Sequence, residues 1–380
     1  CLVGSEMCIR DSDYPMDLIG GAEKSTATMA KAMAANGYEV AILAENSLNK
    51  DTAFDNIRLY QFKKSANKYI QVLQKAHNAL KYIRKFKPDI VHIQFAQYSY
   101  VFLLLKKFHL VKSKIRIIYT DRHYFEAYND RYKNMYRSYS HYFNDVICTT
   151  ENNKNCWKQA VGNNETPRLH VVQNVIEDEW FEDSTDKRNL IRNENGINDD
   201  TLVIGFVGRY VDWKRWDTVL DICERLKGKN IYFAVCISNP VGSNENSELN
   251  EYISKLEKAS EGRLICRMNA GKEIMQQMYA AMDIFVLTSE FESFGRTLVE
   301  AMSKKTVVIA TNSGGAPNVV GNEKNLFPVG DSQKACDIIE RYEDKAILDE
   351  DKQAFYNRGK DLFSENNMIS KMIKIYEMER

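Results

Sequence analysis

The sequence predicts a doubly wound α/β fold made twice over, two parallel-sheet Rossmann-like domains in tandem. Three observations carry that expectation. Apolar runs of strand length, rich in Val and Ile and without strict alternation, recur along the chain; such runs belong to strands covered on both faces, hence to parallel sheets. Stretches with helical spacing separate them, and this alternation is the mark of wound α/β layers. The length of 380 residues exceeds what one core ordinarily organises, so two domains are expected.

Taken in order, the strand-like runs fall at 40–44, 90–95, 115–120, 146–149 and 170–173, with a second series at 202–207, 231–237, 264–267, 284–287 and 306–310. Helices are expected at 25–36, 216–226, 247–259, 273–282 and 296–303. Between the two series, 177–200 is polar and charged with no strand pattern. A first domain is therefore expected over 13–180, a second over 181–364, and a terminal helix at 365–380 that packs back on the first. Two such domains leave a cleft, with ligands at the carboxyl ends of the strands. Residues 1–12 (CLVGSEMCIRDS) stand outside this scheme. They resemble the translation of a sequencing adapter and lack the basic start and apolar core of a signal peptide. They are read as non-native, with the first strand of the first domain lost.

Composition removes several classes of function. Hydrophobic residues make up 44% and charged residues 27%, which fits a folded globular chain and not a disordered one. No apolar run approaches the ~20 residues of a membrane span. Cys1, Cys8, Cys148, Cys156, Cys223, Cys236, Cys266 and Cys336 include no C-x-x-C pair, and most lie in apolar runs. Buried free thiols in a reducing, cytoplasmic compartment are expected, not a zinc site or a disulfide framework.

Formal net charge is zero, yet 61–140 holds 17 Lys and Arg against four acids, a net +13. That asymmetry calls for an anionic partner or surface. Aromatics interleave with cations at 78–87 and 100–116, a composition that suits peripheral attachment to an anionic membrane; a solvated helix face is the plain alternative. No RNA- or DNA-binding module is recognisable, so nucleic acid is not expected as a partner.

Four stretches carry chemistry. The first is SEFESFGRTLVEAM at 289–302, after the apolar run 284–287. Glu292 in the loop and Glu300 within the following helix can face one cleft. Ser293, Phe294 and Gly295 place backbone amides at the helix start, an anion site suited to a diphosphate. An ordinary capped helix with Glu300 on a solvated face is the bland reading. The Gly-rich turn TNSGGAP at 311–317 follows, and its two glycines let backbone approach a ligand. The second stretch is VIGFVGRYVDWK at 203–214. Arg209 and Lys214 beyond a buried strand suit a diphosphate leaving group and the charge it develops, although either alone could be a surface charge. The third is DLIGGAE at 17–23, where Gly20 and Gly21 open a helix without the G-x-G-x-x-G dinucleotide pattern. The fourth is IIYTDRH at 117–123, which brings His123 to the end of a strand, there to contact a sugar hydroxyl or to be a simple loop residue. Asp-x-Asp occurs only at 11–13 and 349–351, neither after a strand, so no metal is expected.

Together with PDIVHIQ at 88–94 and VVQN at 171–174, these stretches resemble, in order, the family-4 retaining glycosyltransferases (glycosyl transferases group 1) of the two-Rossmann-domain architecture. The resemblance covers nearly the whole chain from Asp13. It implies a retaining, metal-independent hexosyltransferase whose nucleotide-diphosphate sugar is substrate, with no cofactor. It also implies a glycan or lipid-linked acceptor and a place in cell-surface polysaccharide or lipopolysaccharide synthesis. By the same resemblance Gly20 and Gly21 approach the donor diphosphate, and Arg209 and Lys214 bind it. Glu292 holds the donor sugar, Phe294 and Gly295 offer amides, Leu298 lines the donor site, Glu300 binds the ribose and His123 lies near the transferred sugar. Two departures stand out: Gln173-Asn174-Val175 where the family usually reads Pro-Asn-Gly, and Asn318 where a glutamate is frequent. A nucleotide-sugar epimerase or hydrolase of the same architecture is the second reading, and a nucleic-acid-binding protein the third.

Overall fold

The computed structural model describes residues 5–10, 21–45, 52–54, 57–63, 65–162, 166–239 and 247–378. The chain forms two compact units, 1–175 with 365–380, and 176–364.

The strands of unit 1 are β1 (Ser5–Arg10), β2 (Glu39–Glu45), β3 (Thr52–Phe54), β4 (Ile57–Phe62), β5 (Ile90–Ile93), β6 (Arg116–Asp121), β7 (Asp145–Cys148) and β8 (Arg168–Val171). They lie in the order β3-β4-β2-β1-β5-β6-β7-β8. Every described pairing is parallel except β3 with β4. Helices α1 (Gly21–Ala35), α2 (Lys68–Phe86), α3 (Ala96–Lys107), α4 (Asp130–Tyr139) and α5 (Glu151–Val161) connect them.

Strand β1 corrects one expectation. The sheet has its first strand, and residues set aside as non-native supply it, with Met7 opposite both Ala41 of β2 and Val91 of β5. The physical reason is that a parallel ladder is made by main-chain groups. A sheet with strands on both sides of a slot therefore offers hydrogen bonds to whatever segment precedes α1.

Unit 2 contains α6 (Thr185–Glu194), α7 (Trp216–Arg225), α8 (Ser247–Ala259), α9 (Lys272–Ala281), α10 (Arg296–Met302), α11 (Ala316–Val320), α12 (Ser332–Glu340) and α13 (Lys345–Phe363). Its strands are β9 (Leu202–Arg209), β10 (Ile231–Ser238), β11 (Leu264–Met268), β12 (Ile284–Leu287), β13 (Val307–Thr311) and β14 (Leu326–Phe327). They form one parallel sheet in the order β11-β10-β9-β12-β13-β14. The winding reverses between β9 and β12, and open α/β sheets bind ligands beyond the carboxyl ends of strands at that switch. Gly205 makes the β9–β12 contact possible, since a Cβ there would lie 2.0 Å from the Met282 sulfur.

The seam between units falls at Val175/Ile176, five residues before the expected 180/181. Ile176, Trp180 and Phe181 are the cause, because they are buried in the core of unit 2. The segment 177–200 is likewise no linker. Its helix α6 sends Arg188 and Arg192 to Asp283 at 2.7 and 3.1 Å. The last helix, α14 (Glu365–Glu377), belongs to unit 1. Its Met368, Met372, Ile375 and Tyr376 pack with Met29, Met33, Val40 and Ile42 on one face of the sheet. Tyr376 also puts its hydroxyl 2.7 Å from Nδ1 of the buried His92, whose Nε2 lies 2.6 Å from Thr120 Oγ1.

Candidate active site

In unit 2 two loops meet beyond the switch strands. After β9 the chain makes a short 3₁₀ turn, Asp212–Lys214, closed by Arg215 in the left-handed region at φ 51°. The Trp216 indole N–H donates to the Arg209 carbonyl at 2.8 Å and anchors the turn's start. After β12 the chain runs through Thr288 to Gly295 before entering α10. The two loops are stitched by main-chain acceptors. The Thr288 hydroxyl donates to the Lys214 carbonyl and the Glu290 amide to the Trp213 carbonyl, each at 2.8 Å. Across this seam the Lys214 ammonium donates to Glu292 Oε2 at 2.8 Å, the two side chains 16% and 20% exposed. A pair at that depth keeps its Coulomb attraction while staying open to a ligand from one side.

The Glu292 loop is held from below by the Gly-rich turn after β13. Thr311 donates to the Ser289 carbonyl (2.6 Å), Ser313 to the Glu290 carbonyl (2.7 Å) and the Gly315 amide to the Glu292 carbonyl (2.7 Å). A Cβ on Gly314, whose φ is +58°, would lie 2.1 Å from the Glu292 oxygen. At Gly314 the close approach is thus to this protein's own backbone.

Of the residues picked from sequence, Lys214, Glu292, Phe294 and Gly295 come together here. The Phe294 side chain is core, edge-on to Phe363 with ring centroids 5.6 Å apart, so only its main chain faces the loop. Gly295 sits at φ 89°. Among the described residues no acceptor reaches the amides of Ser293, Phe294 or Gly295, and the Thr297 hydroxyl, buried at the start of α10, also lacks a partner. Backbone amides without a protein acceptor at the start of a helix suit an anionic guest. Leu298 does not join them. Its side chain is fully buried and its amide donates to the Gly295 carbonyl at 3.0 Å, so it supports the site from within the core. Arg209 is exposed at the end of β9, its guanidinium 5.8 Å from the centre of the Trp213 ring.

Glu300 is not on a solvated face. It is 7% exposed, accepts from the Tyr279 hydroxyl at 3.0 Å on Oε2 and from Arg296 Nε at 2.9 Å on Oε1. Arg296 continues to Glu177 at 2.9 Å. Burial, and then the Glu300 charge, push the Tyr279 phenol well above its usual value. Burial alone would raise Glu177, but Arg296, a backbone hydrogen bond and Lys272 together outweigh it and hold that carboxyl below its usual range. Each carboxylate oxygen of Glu300 still has a lone pair to offer.

In unit 1 the site residue is His123, exposed beyond β6 with its ring edge-on to Tyr128. Sequence reasoning missed what lies beneath it. The buried Asp121 accepts from the Trp157 indole (2.7 Å), the Tyr128 hydroxyl (2.7 Å), Asn153 Nδ2 (3.1 Å) and the His123 amide (3.1 Å). Asn153 also donates to the His123 carbonyl. A charged residue closing an apolar strand was the available signal. Next to it, Arg122 donates to Gln94 and to Asn174, which joins the stretches 88–94, 117–123 and 171–174. Gly21 opens α1; Gly20 lies outside the described residues, as does Asp11-Ser-Asp13. Among the described residues no three His, Cys, Asp or Glu side chains gather to hold a metal ion. Cys148, Cys223, Cys236 and Cys336 are buried free thiols, whereas Cys156 and Cys266 are half-buried ones.

The two-unit wound fold carries a cation–carboxylate pair at the switch strands of unit 2, and comparison with known proteins gives the family. Residues 187–361 match Glycosyl transferases group 1 and residues 19–180 match Glycosyltransferase Family 4; the chain belongs to the group 1, family-4 glycosyltransferases. It is similar to D-inositol 3-phosphate glycosyltransferase of Mycobacteroides abscessus, 28% identical over 184 residues, 47% of this chain and 40% of that protein. That match therefore spans less than half of the relative's own length. An uncharacterized 41.2 kDa protein of the Klebsiella pneumoniae cps region is 25% identical over 78% of this chain and 81% of its own. The fold is that of Anabaena HepE, crystallised with UDP and glucose (TM-score 0.75, 18% identity, 98% of this chain and 99% of that one). Sucrose-phosphate synthase from Thermosynechococcus elongatus has it too (TM-score 0.80, 15% identity, 98% of each chain).

Proposed function

We propose that this chain moves a hexose from a nucleotide-diphosphate sugar to a glycan or lipid-linked acceptor, with retention and without a metal, in cell-surface polysaccharide synthesis. The observation that carries this reading is the Lys214–Glu292 pair beside the unpaired amides 293–295. In this reading the amides and Lys214, with Arg209, take the charge that develops on the departing diphosphate, preorganised so that no dipole need turn during bond breaking. Glu292 accepts from the sugar's hydroxyls and Glu300 from the ribose. His123 stands by the transferred sugar. The family resemblance implies retention with the donor phosphate taking the acceptor's proton on the same face, the protein supplying position and charge. A nucleotide-sugar donor is supported by the HepE complex with UDP and glucose, and the polysaccharide setting by the cps-region relative.

The same proposal puts the enzyme in the cytoplasm, attached peripherally to an anionic membrane. Among the described residues no helix is long and apolar enough to cross a bilayer. Ile70 and Leu73 of α2 are 51% and 72% exposed, as are Phe108 (63%) and Leu110 (55%) after α3, and the cations Lys81, Arg84 and Lys85 lie on α2. Apolar anchors flanked by cations fit an anionic surface.

The test is a thermal-shift screen with uridine, guanosine and adenosine diphosphate sugars, followed by isotope-labelled donor and acceptor extract, with and without chelator. Label in a new α-linked glycoside from an α-linked donor, undiminished by chelator, is the expected result. Label confined to an isomerised or hydrolysed sugar would establish the epimerase or hydrolase reading instead. Activity abolished by chelator and restored by manganese would end the metal-free part.

A further inference from the structure

Arg296 stands where local rules disfavour it. It is the first residue of α10, and a cation at a helix start faces the positive end of the helix dipole. Its partner Glu300 lies one turn further on, the poorer order for an ion pair along a helix, since a glutamate N-terminal to the cation fares better. Departures of this kind gather at functional sites, and here the compensation comes from beyond the helix. Arg296 Nε donates to Glu300 Oε1 and Nη2 donates to Glu177 Oε2, each at 2.9 Å. One guanidinium thus joins two carboxylates from separate parts of the chain.

Glu300 needs such fixing. The last torsion of a glutamate is broad and two-fold, so an unheld carboxylate turns freely. Here both oxygens are pinned, Oε1 by Arg296 and Oε2 by the Tyr279 hydroxyl at 3.0 Å. Tyr279 is fully buried, its ring edge-on to Phe285 and Trp180 with centroids 5.7 and 6.2 Å away. Arg296 is a long side chain with many rotamers to lose. Glu177 fastens it, the two side chains 11% and 28% exposed. Lys272, which also meets Glu179, adds to the positive charge that Glu177 feels. A charge as deep as that of Glu300 is costly without a partner, and Arg296 is the cation that meets it.

A ribose presents two neighbouring hydroxyls. A carboxylate with both oxygens fixed presents two acceptors at a set spacing and angle, whereas a turning one meets the pair only at an entropic cost. We propose that Arg296 and Glu177 are positioning residues for recognition of the donor's ribose: Glu177 holds Arg296, and Arg296 with Tyr279 holds Glu300 so that its two oxygens meet the diol together. Their part is to fix the acceptors and not to bind the nucleotide themselves. The proposal rests on the ribose reading of Glu300 and deepens it, because it names what sets the discrimination between ribose and deoxyribose.

The test titrates the full chain calorimetrically with uridine, guanosine and adenosine diphosphates and with the 2′-deoxy and 3′-deoxy forms of each. The quantity read is the ratio of ribose to deoxyribose affinity for the base that binds. Wild type should show a ratio of at least about tenfold, the loss that follows removal of one hydrogen bond to a charged group. Glu300→Ala should abolish the preference. Arg296→Gln and Glu177→Gln should each cut the ratio at least about threefold, by weakening the ribose form alone while deoxyribose affinity is kept. A merely structural role would lower both affinities together and leave the ratio as it is. Glu177 is half-buried, so Glu177→Gln decides the matter should Arg296→Gln melt early. A wild-type ratio in either folded variant, with the preference lost in Glu300→Ala, overturns the positioning role and leaves the ribose reading standing. A wild type without preference, no binding of any of these nucleotides, or a preference that Glu300→Ala keeps removes the ribose reading and the proposal with it.

Discussion

Each unit gathers basic side chains around one buried carboxylate at the amino end of its sheet. In unit 1 Asp145, at the start of β7, takes Arg116 (2.6 Å), Arg168 (2.9 Å) and His170 (2.8 Å). In unit 2 Asp283, just before β12, takes Arg188 (2.7 Å), Lys352 (2.7 Å) and Arg192 (3.1 Å). At the carboxyl ends the likeness stops. Unit 2 has its loops bonded to one another around Lys214 and Glu292, whereas unit 1 presents an exposed His123 on a loop held from beneath by Asp121 and Asn153 and at its side by the Arg122 bonds to Gln94 and Asn174. The difference teaches where fixed geometry resides: in unit 2 the loops hold each other, and on the proposed reading that rigid side takes the diphosphate, which asks for the same charges whatever sugar it carries.

The largest effect should come from breaking the hub of unit 2. Asp283→Asn leaves three cations without their shared partner and should cost about 3–5 kcal/mol, read as a fall in the thermal midpoint of unit 2. The acid side gives a milder version. Burial would raise the Asp283 carboxyl, but Lys352, Arg188 and Arg192 hold it at about 2. Its unfolded value is ~3.9, so the folded state binds fewer protons. That stability is complete above about pH 4 and should vanish as pH falls through about 2, a loss of about 2–3 kcal/mol that urea titrations across that window would register.

Next comes the donor seam. Lys214→Ala should lower kcat/KM by about 10²–10³, as when one charge-stabilising donor is removed, with the fold intact by circular dichroism. Gly314→Ala should also cut activity, because a Cβ at 2.1 Å must push the Glu292 carbonyl aside. An Ala variant with wild-type kinetics would show the loop to be softer than its bonds suggest. Unit 1 should respond less. Asp121→Asn and His123→Ala should each reduce kcat without weakening nucleotide-sugar binding, and the double variant should be no worse than His123→Ala. Additive losses would assign Asp121 to stability alone. The smallest effect belongs to Tyr376→Phe, which removes one buried hydroxyl from His92 at a cost of about 1–2 kcal/mol, measured by denaturant unfolding.

Most of the sheet strands were legible in the sequence because buried parallel strands need unbroken apolar runs. The short edge strands β3 and β14 were not, since two or three residues carry no period, and neither was β4, whose apolar residues are broken by Arg58 and Gln61. Residues 284–287 and 202–207 could be read as strands, but nothing in their spacing says that Gly205 meets Met282, or that β9 and β12 are neighbours. The site divided the same way. Lys214 and Glu292 were readable as charges after strands, yet their bond depends on two loops 78 residues apart in sequence. Glu300 was readable as a helix residue but not as a buried one, because its partner Tyr279 sits on another helix. Asp121 was overlooked since its value lies in donors drawn from 119, 123, 128, 153 and 157, a convergence that only packing creates. The interleaved cations of α2 looked free from sequence, whereas Lys81 and Lys85 lie over the Tyr82 and Tyr60 rings.

Helix α14 has a consequence for how the chain is made. The side of the first sheet that it shares with Met29 and Met33 of α1, over Val40 and Ile42, is covered by α1 alone until residues 365–377 leave the ribosome, by which time the whole of 176–364 has already emerged. The amino-terminal unit is thus begun first and finished last. During synthesis its apolar face waits on the complete translation of its neighbour, and a stalled message should yield a folded second unit attached to an unfinished first.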